Sequence, residues 1–181
     1  MWDLLMKYLC PRDLRRGEME ECMKTVKTNA MRLLDKAHIA YQVHEYPHGD
    51  EAVDGENVAK LLNEDVSCVF KTLITQANTK EYLVWMVPAA AQLDLKKAAA
   101  AAGVKHVEMI PVREITKVSG YVRGGCSPLA MKKSYRTFID ASALSQDHIY
   151  FSGGKIGLQI ETAPGDLIDL LQIAAADITH R

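Results

Sequence analysis

The sequence predicts a single domain of mixed α/β (α+β) type built on a mixed β-sheet. Three observations carry that expectation. The 181 residues suit one domain with at most a tail. Helical and extended patterns follow one another without strict alternation. Several extended pairs are joined by turns too short for a crossover helix, so they pair as hairpins rather than as a doubly wound parallel sheet.

The elements run as follows. Residues 1–24 mix Trp2, Leu4, Leu5 and Leu9 with Arg12, Arg15, Arg16 and an acidic run at Glu18, Glu20 and Glu21, and read as a tail or extension. The domain proper is expected over residues 25–181. Ala30, Leu33, Leu34 and Ala37 fall on one helix face with Thr28 as N-cap. Tyr41 to Tyr46 reads as a strand, stopped by Pro47, and a polar loop from His48 leads to a short helix carrying Val58, Leu61 and Leu62. Val66 to Thr75 reads as a strand apolar on both faces. It turns at Asn78-Thr79 into a returning strand, Tyr82 to Val87. Asp94 caps a helix through the Ala98 to Ala102 run, which Gly103 ends. Val104 to Ile110 reads as a strand, and Pro111 as the first residue of a helix. After a glycine-bearing loop, Gly120 to Pro128, come strands at Thr137 to Asp140, His148 to Ser152 and Gly157 to Glu161, the last two joined through Gly153-Gly154. Pro164 opens a final helix whose Leu167, Leu171 and Ala174 share a face.

Composition narrows the function classes. Hydrophobic residues make up 48% and charged residues 25%, which excludes wholesale disorder, collagen and coiled coil. No apolar run approaches the ~20 residues of a membrane helix, and residues 2–9 lack the pattern of a secretory signal. A cytoplasmic protein with no membrane partner is expected. Cys10, Cys22, Cys68 and Cys126 have no Cys-x-x-Cys spacing, so free thiols in a reducing compartment are the expectation. The net charge of -1 excludes a strong independent nucleic-acid binder, DNA included: the basic residues gather only locally, as at Lys96-Lys97 and Lys132-Lys133.

Three motifs imitate catalytic signatures. His44-Glu45-Tyr46-Pro47-His48 spells the H-E-x-x-H of zinc proteases. That chemistry needs both histidines on one helical turn, and Pro47 would break the helix at a cost of ~3 kcal/mol. On a strand the two would stand about 13 Å apart, too far to share a zinc, so no metal and no cofactor are expected. Gly125-Cys126-Ser127-Pro128-Leu129 lacks the closing glycine of a nucleophile elbow, and Gly153-Gly154-Lys155-Ile156-Gly157 is no phosphate loop.

Two features carry chemistry on their own terms. Lys71 lies mid-strand in an apolar run, sharing a face with Val69 and Leu73. A lysine there either lines a pocket or snorkels from an edge. The loop Gly124-Gly125-Cys126-Ser127-Pro128 can turn several N–H groups toward one point, as oxyanion donors are arranged, or can be an ordinary Gly-Pro loop.

Taken in order, a set of motifs resembles the YbaK/EbsC family of bacterial aminoacyl-tRNA deacylases, in its Cys-tRNA(Pro) deacylase branch. The set comprises His44-x-Tyr46, Phe70-Lys71-Thr72-Leu73, Gln92 to Lys97, Lys105 to Met109, Gly120-Tyr121-Val122-Arg123-Gly124-Gly125-x-Ser127-Pro128, Lys132-Lys133 and Tyr150-x-Ser152-Gly153-Gly154-Lys155-x-Gly157-Leu158. The resemblance implies a mixed, highly curved sheet or partly open barrel flanked by helices, the fold also used as the editing insertion of some prolyl-tRNA synthetases. It implies Lys71 as the catalytic residue, and Tyr46, Thr72, Gly124, Gly125, Ser127, Pro128, Ser152 and Gly153 as substrate-binding residues. It further implies hydrolysis of the ester at the 3′ end of aminoacyl-tRNA, assisted by the substrate's own thiol or ribose hydroxyl, with prolyl-tRNA synthetase as partner. The competing class is a non-catalytic module that binds aminoacyl-tRNA or a synthetase. Ala130 and Cys126 depart from the family pattern, which favours a glycine and an aliphatic residue there. Residues 1–22 have no counterpart in it, and are either an amphipathic arm or a start placed upstream of Met23.

Overall fold

The computed structural model describes residues 27–49 and 53–180; the expected tail and Cys10 and Cys22 lie outside the described residues. Helix α1 (Asn29–Lys36) begins where the Thr28 hydroxyl accepts the Met31 N–H at 3.3 Å, and it buries Ala30, Met31 and Leu34. Helix α2 (Gly55–Leu62) is capped by Asp54, whose carboxylate accepts the amides of Glu56 and Asn57. Helix α3 (Leu95–Ala102) starts on Asp94 and stops at Gly103, φ +68°. Helix α4 (Val112–Ser119) follows Pro111, which stands one place earlier than expected, just outside the first turn. Helix α5 (Pro164–Leu171) opens on its proline.

Eight strands complete the described chain: β1 (Gln42–Glu45), β2 (Phe70–Ala77), β3 (Tyr82–Pro88), β4 (Val107–Met109), β5 (Arg136–Asp140), β6 (Ile149–Ser152), β7 (Leu158–Thr162) and β8 (Ala174–Ala176). They form a three-stranded sheet, β1-β7-β6, and a five-stranded sheet, β4-β2-β3-β5-β8. The β3–β5 and β5–β8 pairs are parallel and the others antiparallel, so the expected mixed sheet is present. A parallel bridge between Val69 and Tyr150 links the two sheets, so that one surface curves through both.

Packing follows the two-residue period of the strands. Leu83, Trp85 and Val87 of β3 face Ala98, Ala99 and Ala102 of α3, with Trp85 stacked on Phe138 and its indole N–H donating to Thr75 Oγ1 at 2.7 Å. The opposite face joins Met86 and Ile139 to α1, α5 and the inner faces of β6 and β7.

Three expectations are corrected. Val66 to Cys68 forms a 3₁₀ turn capped by Asp65, so the strand expected from Val66 starts at Phe70. The strand expected over residues 104–110 keeps only its centre, because Ala102 and Gly103 still close α3 and Pro111 already opens α4. The last helix stops at Gln172, φ +52°, and Ala174 does not share its face. Residues 174–176 instead add a parallel edge strand to β5; three alanines give no extended signal, and the pairing is non-local. Among the described residues no helix is long and apolar enough to cross a membrane.

Candidate active site

The site lies where the curved surface splits. β3 pairs with one edge of β2 from Phe70 to Gln76. On the other edge β4 pairs only with Thr75 to Ala77, and β6 lies against β2 but bridges the chain only at Val69, just before the strand. The stretch between them faces a cavity of about 610 Å³. This explains why successive residues of β2, from Phe70 to Ile74, line the cavity although their side chains alternate faces. α2 supplies Asp54, Gly55, Glu56 and Val58 to one wall, and Met109, Ile110, Val112 and Ile115 supply another.

Lys71 enters this cavity half-buried, and its Nζ donates to the carbonyl of Ala89 at 2.8 Å. Burial pulls its ammonium below the ordinary lysine value, while the carboxylates of Glu56 and Asp54 pull the other way. Its Nζ is thus a donor at the wall of a largely apolar space.

Five of the nine residues expected at the site line the cavity together: Tyr46, Lys71, Thr72, Gly124 and Ser152. Four stand behind the lining. Gly125 packs on the backbone of Lys155 and Ile156, and its N–H is spent on Val122 O at 3.1 Å. Ser127 is fully buried, with its hydroxyl accepting the Leu129 amide at 3.3 Å, and Pro128 is buried beside it. Gly153 turns toward the core, where a Cβ would overlap the Leu158 side chain. The amides of Gly124 and Cys126, both at lining positions, have no hydrogen-bond partner among the described residues. Tyr121 anchors the loop by donating its hydroxyl to Leu129 O at 2.8 Å. Ala130 takes φ +51°, a left-handed conformation that glycine adopts at lower cost.

Cys126 lines the cavity as a buried thiol, and burial pushes it up to about 11, so it is a neutral wall group and no nucleophile. The lining contains no histidine. His44 belongs to β1, as the strand reading expects, and its Nε2 lies 2.6 Å from Glu161 Oε2 on β7. Among the described residues no group of three or more His, Cys, Asp or Glu is placed to hold a metal.

Sequence reasoning did not single out Asp54, Glu56, Arg123 or Gln159, all of which line the cavity. Asp54 reads as a helix cap, which it is. Gln159 sits at the polar position of an alternating strand, a pattern that signals a solvent-facing residue, yet it is 6% exposed. Only the fold over β7 reveals it.

This fold and cavity define a class. Residues 50–170 match the aminoacyl-tRNA editing domain, and the chain belongs to that family. It is an aminoacyl-tRNA deacylase of the YbaK/EbsC kind. A protein of Enterococcus faecalis provisionally named Cys-tRNA(Pro)/Cys-tRNA(Cys) deacylase EbsC is 39% identical over 155 residues, covering 86% of this chain and 94% of that protein. Two crystal structures share the fold. One is of a hypothetical protein, APE2540 (TM-score 0.77, 21% identity, 84% of this chain and 100% of that one). The other is of a protein described provisionally as a trans-editing enzyme for prolyl-tRNA synthetase (TM-score 0.73, 20% identity, 84% and 93%).

Proposed function

We propose that the cavity hydrolyses the ester of Cys-tRNA(Pro) and that Lys71 stabilises the oxyanion formed on the way. The observation that carries this reading is the chemistry of the lining. A half-buried lysine stands in a largely apolar lining that holds neither a histidine nor an ionised thiol, and the amides of two lining residues, Gly124 and Cys126, have no partner among the described residues. Such a site supplies charge and dryness, typically ~3–4 kcal/mol for one well-placed donor, and leaves the nucleophile to the substrate. A cysteinyl ester can provide one. Its thiol gives up a proton and attacks its own carbonyl carbon, and the C–O bond to the ribose breaks. The leaving oxygen takes a proton and the amino acid departs as a thiolactone, which water opens. The selectivity supported here is for a thiol rather than for size, since a pocket separates side chains by only ~1–3 kcal/mol per methylene.

A panel of charged tRNAs tests this. Cysteinyl-tRNA should be deacylated, while seryl-tRNA, with oxygen in place of sulfur, should react far more slowly. Equal rates for the two would overturn the thiol-assisted reading. Prolyl-tRNA synthetase is the proposed partner, on the argument that a chain of net charge -1 binds tRNA weakly alone and gains affinity from a second attachment. Adding the synthetase should raise the rate at low enzyme; no effect would remove it as partner.

A further inference from the structure

The net charge of -1 conceals an uneven distribution around the cavity. Residues 111–136, from α4 to the first residue of β5, carry Arg113, Lys117, Arg123, Lys132, Lys133 and Arg136 against one carboxylate, Glu114. Residues 53–65, which form and flank α2, carry Asp54, Glu56, Glu64 and Asp65 against Lys60. Both segments wall the cavity, the first through Val112, Ile115 and Arg123, the second through Asp54, Gly55, Glu56 and Val58. The two walls therefore differ in sign.

The cations of the basic wall are mostly uncommitted. Arg136 pairs with Glu81, and Lys132 Nζ donates to the carbonyls of Thr116 and Lys117 at the end of α4. Arg113, Lys117, Arg123 and Lys133 are exposed, and among the described residues no carboxylate pairs with them. Arg113 and Lys117, four residues apart, share a flank of α4 beside the Val112 and Ile115 stripe that lines the cavity. Lys132 lies against Gly120, where an added Cβ would stand 3.2 Å from its Cγ, so Lys132-Lys133 is held at the same helix end. Val112 and Met109, which line this wall, and Val122, next to Arg123, are large apolar residues left exposed. Free cations beside exposed apolar side chains suit a single RNA strand, which presents phosphates and open base faces together.

We propose that the RNA strand leading away from the ester crosses the α4 wall, its phosphates on Arg113, Lys117, Arg123 and Lys133, and that the carboxylates of the α2 wall exclude it from the other side. The inference rests on the cavity being the deacylation site. An ester on the terminal ribose brings the nearest phosphates to the mouth, where Arg123 stands, so the polarity of the walls decides which way the rest of the acceptor arm runs. Few contacts are involved, which keeps binding modest and strongly dependent on salt.

The probe is an uncharged RNA hairpin that reproduces a tRNA acceptor stem with its single-stranded 3′ end, titrated between about 0.05 and 0.3 M salt. Wild-type affinity should fall with a log–log slope of about 3, as four phosphate contacts give. Lys117→Gln and Lys133→Gln should each lower that slope by about 1 and raise KM for charged tRNA roughly fivefold at 0.15 M salt. Lys96→Gln is the control: α3 packs on Leu83 and Trp85 of β3, whereas α4 and its loop pack on Val84, so Lys96 lies across the sheet and its variant should match wild type. If Lys117→Gln and Lys133→Gln both keep the wild-type slope and KM, the strand does not cross α4. If they change only the stimulation by prolyl-tRNA synthetase, the wall docks a protein and the proposal is equally overturned. The hairpin carries no ester, so the expected slopes together with no hydrolysis of any charged tRNA would leave the RNA surface standing and overturn the deacylation reading instead.

Discussion

Replacing Lys71 by methionine separates catalysis from stability. The variant keeps most of the side chain's apolar stem and removes only the ammonium. Two stability effects then oppose one another. The hydrogen bond from Nζ to Ala89 O at 2.8 Å is lost, a net ~1 kcal/mol. A charge that burial disfavours is also removed, which is neutral to favourable for folding. The expected change at pH 7 is within about 1 kcal/mol by urea titration. Catalysis should suffer far more: loss of an oxyanion donor costs ~2.7–4 kcal/mol, or about 10²–10³-fold in kcat. The pH dependence has a definite sign. The folded chain releases the Lys71 proton at lower pH than the unfolded chain does, so between those two values the unfolded state binds more protons. Wild-type stability therefore rises with pH across that window relative to the methionine variant. The rate advantage of wild type over variant should fall across the same window, beginning below the ordinary lysine value of 10.5. A variant with near-wild-type kcat on cysteinyl-tRNA refutes the catalytic role. One that loses more than about 3 kcal/mol shows instead that the lysine holds the fold.

Two further substitutions probe what supports the site and the sheet. At Gly55 an added Cβ would stand 2.6 Å from Ala89 Cβ, so Gly55→Ala should displace the residue whose carbonyl holds Lys71; kcat should drop roughly 10–100-fold, as for a small misplacement, and the alkaline limb of the pH–rate profile should move, whereas an unmoved limb would leave Gly55 as packing alone. Asp140 is buried, and although burial pushes its carboxyl up, hydrogen bonds from Ser142, Ile178 and Thr179 prevail and hold it below the usual range. Its stabilisation is thus complete above the unfolded carboxylate value and lost as pH falls through the lower folded one, so Asp140→Asn should cost about 1.5–3 kcal/mol at pH 7 and progressively less in acid, and a gap that stays constant down to pH 2 would contradict that account.

Local chemistry made much of the fold legible. Thr28, Asp94 and Pro164 start helices in the structure as their side chains dictate, and Asn78-Thr79 turns β2 into β3. What escaped was set by non-local pairing or by competing local signals. Val66 to Cys68 has strand composition, yet the Asp65 carboxylate accepting the Ser67 amide winds it into a 3₁₀ turn. Ala174 to Ala176 looks helical and becomes a strand because β5 offers an edge after the chain reverses at Gln172. The site divides in the same way. Lys71 was visible because a cation in an apolar strand is anomalous in sequence, whereas Gln159 is anomalous only once its burial is known.

The split in the curved sheet accounts for both. A strand paired on both edges would satisfy its backbone and pack its side chains away, with no room for a desolvated cation. β2 is paired on both edges at Thr75 and Gln76, and the bridge from Val69 to Tyr150 holds its other end. Between these anchors β6 and β4 diverge, and the open edge brings Lys71 and Thr72, which point to opposite faces, into one cavity. The Ala89 amide donates to Val69 O at 2.7 Å, and the Ala89 carbonyl accepts from Lys71, so one residue ties the bridge to the lysine. The wall that β6 and β7 close across the gap carries Ser152 and Gln159. Lys71, Thr72 and Gln159 therefore gather where the sheet leaves an open edge, and it is this edge that the proposed substrate-assisted hydrolysis would use.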